Sequence, residues 1–426
     1  MSPDPTARRY VEPSTAAAAA LVDGAVTGRA VVVGSLPPDA RDLDLLVCFG
    51  DEAAAVRALR AAGFVARDQH WALFAECSAV EVELVPTRRC GLAAAALESL
   101  LSESVPLPGL EHLRAPAPHH RLLLGATSLL GRSGYLAPRH GARMRRVVEE
   151  HPDAWAQAER QAAEWGAGAD LARLGRALGG TRPPPARRAL GLVRRVRGAL
   201  RPQVIAISGI DGSGKSLQAR ALVDTLERLG HPAGTVWAPL ASEAWLVRLA
   251  RPVKGVLARV PRRRARGSGA GSARRGSAST PGRELRQQSP TLTSAWATIV
   301  AVANAWSLGR SALGHGWAGR VVVADRYHLD SAVRMRFYYG EKLGFGLQRR
   351  LVGALSPRAR RAFFLDVTPV ASAARKDDGW TTEELAVQAR LYREEHLRFG
   401  AVRLDGERSP AVVCAEVAER TWRALR

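Results

Sequence analysis

The sequence predicts an α/β protein of two domains: a C-terminal parallel five-stranded sheet flanked by helices, and an N-terminal α+β domain. Three observations lead there. After residue 202, short apolar runs alternate with helical stretches, the pattern of a parallel sheet with right-handed crossovers. The first of those runs ends in a glycine-rich loop that opens a helix. A Pro- and Arg-rich stretch, beginning Arg182-Pro183-Pro184-Pro185, separates this half from a strand-rich first half. Consecutive prolines cannot continue a helix and favour an extended spacer.

These boundaries give residues 1–180 as the first domain, 181–201 as a basic linker and 202–426 as the second domain, an ordinary size for two cores in a chain of 426 residues. In the first domain, Ala30 to Val33 and Leu43 to Phe49 are strand-like. A helix from Glu52 to Ala62 stops at Gly63, and further strands follow from Trp71 to Phe74 and from Val80 to Val85. The remainder to about Gly180 reads as helices separated by Gly and Pro. In the second domain the strands are Val204 to Ile207, a segment near Val236, Val321 to Ala324, Phe363 to Leu365 and Val402 to Leu404. Helices are predicted from Lys215 to Leu229 and through Ala295 to Leu313. Residues 251–290 are rich in Arg, Gly and Ser, can bury little apolar surface, and read as a disordered insertion.

Hydrophobic residues make up 46% of the chain, enough for buried cores, yet no apolar run reaches the roughly 18–20 residues of a membrane-spanning helix. The N-terminus has no basic-then-apolar leader, so a cytoplasmic protein is expected. Cys48, Cys77, Cys90 and Cys414 lack the paired spacing of a zinc or disulfide framework. The net charge of +22 comes largely from arginines crowded into 182–201 and 251–286. Without interleaved aromatic residues these stretches do not argue for nucleic acid. A helix over Arg187 to Leu200 has an apolar side that would suit either packing on the protein or contact with an anionic membrane surface, the former being expected.

Gly209-Ile210-Asp211-Gly212-Ser213-Gly214-Lys215-Ser216 satisfies the P-loop spacing in full. Glycines let backbone N–H groups curl around phosphate oxygens, and the following helix N-terminus adds partial positive charge. Lys215 can reach the terminal phosphates, and the Ser216 hydroxyl can hold Mg²⁺. The lysines of this arginine-rich chain are Lys215, Lys254, Lys342 and Lys376, so one at this position is telling.

The loop and the following Leu217-Gln218 resemble the thymidylate kinase family, in which Thr usually stands where Leu217 does. The resemblance extends to Asp325-Arg326-Tyr327 after Val321 to Ala324, to Phe364-Leu365-Asp366-Val367-Thr368-Pro369, and to Leu404-Asp405-Gly406 with Ser409-Pro410. It covers about residues 203–426. It implies a kinase that uses ATP and Mg²⁺, with the loop from Gly209 through Leu217 on the nucleotide. Asp325 would lie near Mg²⁺, Arg326 on the transferring or accepting phosphate, and Asp211 toward the acceptor. Arg375 and Lys376 would form a basic lid over ATP, Arg375 assisting catalysis. A carboxylate at the C-terminal end of a central parallel strand fits that assignment on general grounds, since ligands bind at that edge. The acceptor side departs from the family. Asn304 stands where an arginine usually grips the monophosphate, residues Arg334 to Tyr339 replace a Tyr-Gln pair, and Ala238-Pro239-Leu240 replaces an Arg-Glu-Pro-Gly segment. The expectation is therefore transfer of the γ-phosphoryl group to a small acceptor other than dTMP. A genuine dTMP kinase and a non-catalytic nucleotide-binding regulator are the alternatives, and a homodimer is left open.

In the first domain, Val33-Gly34-Ser35 followed by Asp42-Leu43-Asp44 resembles the nucleotidyltransferase superfamily. Period-two spacing puts Asp42 and Asp44 on one face of a strand, suited to shared Mg²⁺ ions. Glu83 is the expected third acid, with Glu81 on the same face in reserve, and Ser35 would meet a triphosphate.

Overall fold

The structure, a computed structural model, describes residues 13–75, 77–131, 138–179, 202–237, 290–339, 346–376 and 379–425. The chain divides into two compact units near Arg194. The expected helix over Arg187 to Leu200, the insertion 251–289 and the segment Ala238-Pro239-Leu240 lie outside the described residues. Among the described residues no helix is long and apolar enough to cross a membrane, and the four cysteines are free thiols.

The first unit is a mixed seven-stranded sheet with helices on both faces. Its strands are β1 (Ala30–Val32), β2 (Asp42–Val47), β3 (Val65–Arg67), β4 (His70–Ala75), β5 (Ser78–Pro86), β6 (Val105–Pro106) and β7 (Leu113–Ala115), in the order β3-β4-β5-β2-β1-β7-β6. The central pair, β2 and β5, is parallel. Alternation along β2 sends Leu43, Leu45 and Val47 into one core with Ala18, Ala19 and Val22 of α1 (Thr15–Asp23) and Ala55 and Leu59 of α2 (Glu52–Ala61). The opposite face, through Val31 and Leu46, packs on α3 (Ala94–Ser102), α4 (Pro118–Gly131), α5 (Pro138–Glu150), α6 (Ala154–Gln161) and α7 (Gly168–Leu178).

The expectation of helices alone beyond Val85 is corrected by β6 and β7. A distant side chain explains β7: the buried carboxylate of Asp23 accepts hydrogen bonds from the backbone N–H groups of Glu111 (3.0 Å), His112 (2.7 Å) and Leu113 (2.7 Å). Burial alone would raise the Asp23 pKa, but these donors hold it below the ordinary carboxylate value. The carboxylate thus draws this stretch out alongside β1, which β7 pairs in parallel.

The second unit is an all-parallel five-stranded sheet with strands β8 (Val204–Gly209), β9 (Ala233–Trp237), β10 (Val321–Asp325), β11 (Arg361–Asp366) and β12 (Ala401–Asp405). The order is β12-β11-β8-β10-β9. All five expected strands are present. Helices α8 (Lys215–Arg228), α9 (Pro290–Trp317), α10 (His328–Tyr339), α11 (Gly346–Leu355), α12 (Pro369–Arg375), α13 (Thr382–Glu395) and α14 (Pro410–Ala424) fill the connections. Every residue of β8 is buried, as a central strand covered on both faces requires. From β8 the chain first builds β9 and β10 on one side, then returns to add β11 and β12 on the other. The carboxyl end of β8 is therefore the topological switch point, where sheets of this class leave a crevice for ligands.

Candidate functional site

At that switch point β8 runs into the loop Ile210–Gly214 and then α8. Gly209, Gly212 and Gly214 have φ of 153°, 79° and 89°, which L side chains adopt only under strain. Gly212 is also sterically required: a Cβ there would lie 2.5 Å from the Ser372 carbonyl oxygen of α12. The Ser372 hydroxyl closes this contact by donating to the Asp211 carbonyl. Around Gly214 nothing stands within 4 Å of a built Cβ, so this side of the loop faces open space.

Lys215 is only 5% exposed, and its Nζ donates to the Ile210 carbonyl (2.6 Å) and lies 3.9 Å from Asp211 Oδ1. Burial, helped by the neighbouring Arg326 charge, lowers its pKa to about 8. Ser216 Oγ donates to Asp325 Oδ2 at 2.5 Å across from β10. The other carboxylate oxygen, Asp325 Oδ1, is buried with no hydrogen-bond partner. An orphan acceptor of this kind is costly unless something cationic meets it. Together with the Ser216 hydroxyl it offers the hard oxygen donors that Mg²⁺ prefers.

Asp325 and Arg326 do not hydrogen-bond to each other as a local pair would. Arg326, held at φ 77°, bonds to Asp211 in the loop. Burial would lower the Arg326 pKa, yet Asp330, Tyr392, Asp211 and Asp325 together raise it above that of free arginine. Burial works to raise Asp211, but Arg326, Lys215 and Arg334 outweigh it and keep the carboxyl below its usual range. The structure thus brings Asp211, Lys215, Ser216, Asp325 and Arg326 into one charged group. Leu217 is 55% exposed at the start of α8, whereas Gln218 is buried and donates to the Pro410 carbonyl (3.0 Å), tying α8 to α14.

Arg375 stands apart from this group. Its guanidinium donates to the Gly406 carbonyl (3.0 Å) just beyond β12, and both Arg375 and Lys376 are exposed. Residues 377–378 lie outside the described residues. Asp366, read as part of a motif strand, is engaged by Arg393 and Arg403.

Sequence reasoning missed Asp330. This carboxylate is 1% exposed and accepts from Ser208 Oγ (2.5 Å), Tyr327 N–H (2.9 Å) and Tyr392 O–H (2.7 Å). It links the strand before the loop to the turn that carries Arg326 and to α13. Only its place one turn into α10 could have flagged it; Tyr392 lies 62 residues away in sequence.

In the first unit the register places Asp42 opposite Glu81 and Asp44 opposite Glu83 on adjacent parallel strands. His70 of β4, opposite Glu83 in the sheet, has its Nδ1 3.0 Å from Glu81 Oε1. Burial and the charges of Asp42, Glu83 and Glu81 raise the Asp44 pKa to about 7. The Glu81 hydrogen bond raises the His70 pKa. Gly34 is tight here, because a Cβ would collide with the Asp44 carboxylate. Ser35 Oγ accepts from Arg143 of α5 at 2.7 Å. Four carboxylates that repel one another on one face form an arrangement that a divalent cation would relieve.

No protein-family model matches this chain, and no curated protein matches it either.

Proposed function

We propose that the second unit is a Mg·ATP-dependent phosphotransferase of thymidylate kinase-like type, passing the γ-phosphoryl group to a small acceptor. The observation that carries this reading is the Ser216–Asp325 hydrogen bond beside buried Lys215, with Asp325 Oδ1 unpartnered, at the sheet's switch point. Backbone N–H groups of the 210–214 loop and the α8 N-terminus would receive the phosphates. Lys215 would exchange its contact with the Ile210 carbonyl for phosphate oxygens, whose negative charge would offset the burial that lowers its pKa. Ser216 and Asp325 would hold Mg²⁺, which neutralises charge on the β- and γ-phosphates when bound.

Arg326, fixed by Asp211 and by the Asp330 network, supplies an oriented cation where negative charge grows on the transferring group. Such preorganisation costs no rearrangement at the moment of reaction. Arg334 on α10 adds charge on the same side, since it contributes to lowering Asp211. Arg326 on the loop, with the charge of Arg334 nearby, favours an anionic acceptor over a neutral one. The test is ATP turnover by purified protein across nucleoside monophosphates and other small phosphorylated acceptors. Efficient turnover of dTMP alone would favour a true dTMP kinase; ATP binding with no turnover of any acceptor would favour a regulator.

For the first unit we infer a nucleotidyltransferase-like site, on the in-register quartet of carboxylates. Asp42 and Asp44 with Glu83 would hold Mg²⁺, and Glu81 is occupied by His70. Loss of Mg²⁺-dependent thermal stabilisation of the first unit in Asp42→Asn/Asp44→Asn is the expected result. Equal Mg²⁺ stabilisation in that variant would remove the assignment.

A further inference from the structure

Apart from both sites, the first unit brings two buried histidines and an exposed glutamate together in a group that neither reading uses. The chain enters α4 through Pro118-His119-His120, and Glu103 caps the C-terminal end of α3. His119 is 4% exposed and His120 fully buried, whereas the Glu103 side chain is 43% exposed. His119 Nε2 stands 3.2 Å from Glu103 Oε2 without making a hydrogen bond, and His120 Nε2 is 4.0 Å from Glu103 Oε1. One ligand atom from each of the three residues lies within 4.8 Å of the others.

Hydrogen bonding explains part of this group. Glu103 Oε1 accepts from Ser99 Oγ (2.7 Å) and Gln161 Nε2 (3.1 Å), and His120 Nε2 lies 2.9 Å from Gln161 Oε1 and 3.0 Å from Ser99 Oγ. Both ring nitrogens of His119 and Nδ1 of His120 are nevertheless buried without a hydrogen bond. The two rings lie with centroids 4.1 Å apart, and Trp165 stacks on His120 at 5.1 Å. Buried ring nitrogens left without a hydrogen bond cost about 1–3 kcal/mol each.

Two imidazole nitrogens and a carboxylate are a recurring donor set for Zn²⁺, with a fourth position left to solvent. Zn–N distances of about 2.0–2.1 Å put neighbouring ligand atoms of a tetrahedron roughly 3.3 Å apart. One ligand atom of each residue lies within 4.8 Å of the others, so the set needs to contract around an ion, with His120 Nε2 turning to it from Gln161 Oε1. Ser99 and Gln161 hold Glu103 Oε1 and so leave Oε2 on the His119 side, as partners outside a metal's immediate ligands usually do, while Trp165 stacks on His120. The exposed Glu103 edge gives an ion its way in. We propose that Glu103, His119 and His120 bind a zinc-like transition-metal ion, which pins the end of α3 to the start of α4.

The test uses the full chain, without a histidine tag and stripped with a chelator, titrated with Co²⁺ and then Zn²⁺. The expected result is visible Co²⁺ absorption of a nitrogen–oxygen site, saturating at one equivalent and displaced by Zn²⁺. It persists in Asp42→Asn/Asp44→Asn, which removes the other carboxylate cluster. It weakens at least about tenfold in Glu103→Gln and in His119→Gln. Zn²⁺ raises the melting temperature of wild type but not of Glu103→Gln, and metal-free Glu103→Gln melts as metal-free wild type does. Binding that is equal in wild type, Glu103→Gln and His119→Gln overturns the proposal. So does binding that vanishes in Asp42→Asn/Asp44→Asn, or a sulfur-to-cobalt charge-transfer band.

Discussion

Replacing Lys215 with Met tests the phosphate-site reading through stability as well as activity. Burial and Arg326 lower the Lys215 pKa from 10.5 to about 8, so carrying its charge in the fold costs about 3 kcal/mol. Methionine keeps the apolar stem and removes that cost, but loses a hydrogen bond to the Ile210 carbonyl worth about 1 kcal/mol. The nucleotide-free variant should therefore be about 2 kcal/mol more stable than wild type at pH 7, raising the melting temperature of this unit by about 4–8 °C. The pH dependence has a definite sign. Between pH 8 and 10.5 the unfolded wild-type chain holds more protons than the native one, so native stability rises with pH there. The variant lacks this group, and its advantage should shrink across that window by up to about 1.4 kcal/mol per pH unit. In a coupled ADP-release assay the variant should lose at least about a hundredfold in turnover, and Mg·ATP should no longer raise its melting temperature. A variant that melts below wild type without nucleotide at pH 7, or that keeps turnover within about threefold, refutes the reasoning.

Asp325→Asn preserves size but weakens the proposed Mg²⁺ ligand; turnover should fall on the order of a hundredfold and require more Mg²⁺, read by Mg²⁺ titration of initial rates. Gly212→Ala drives a Cβ into the Ser372 carbonyl at φ 79° and should destabilise the unit by about 1–3 kcal/mol in denaturant melts, with weaker ATP binding. Asp330→Ala strands the Ser208, Tyr327 and Tyr392 donors and should cost about 3–5 kcal/mol, whereas Asp330→Asn should cost less. In the first unit, the raised Asp44 pKa means that the native state holds the extra proton between about pH 4 and 7, so wild-type stability falls as pH rises through that window. Asp44→Asn should consequently be the more stable protein above pH 7, with the difference fading toward pH 4 in chemical denaturation.

Local signals made the second unit legible. Its strands carry compact apolar runs, clearest in Val204 to Ile207 and Val321 to Ala324, and the loop from Gly209 to Ser216 announces its own geometry through glycine spacing. Asp42 and Asp44 were readable because period two alone puts them on one face, and the β2–β5 register then supplies Glu81 and Glu83. What escaped depends on partners distant in the chain. Three-residue β7 carries too little pattern to identify and owes its extended form to Asp23, roughly 90 residues earlier. Asp330 gains its meaning from Tyr392 and Ser208, and Arg375 is drawn to Gly406 by a turn that follows another strand. His119 and His120 sit at a helix start that sequence cannot bring to the end of α3.

The strand order also has a consequence for synthesis on the ribosome. Central strand β8 is complete at Gly209, yet its partners are β10, beginning at Val321, and β11, beginning at Arg361. At about 5–20 residues per second, β8 waits roughly 6–22 s for its first neighbour. Throughout that interval an apolar strand destined for complete burial has no sheet to join, and the loop it carries has no Asp325 opposite Ser216. Until synthesis is well past Asp325 the proposed phosphate site is incomplete, so on that reading a nucleotide could add stability to the second unit only after that point.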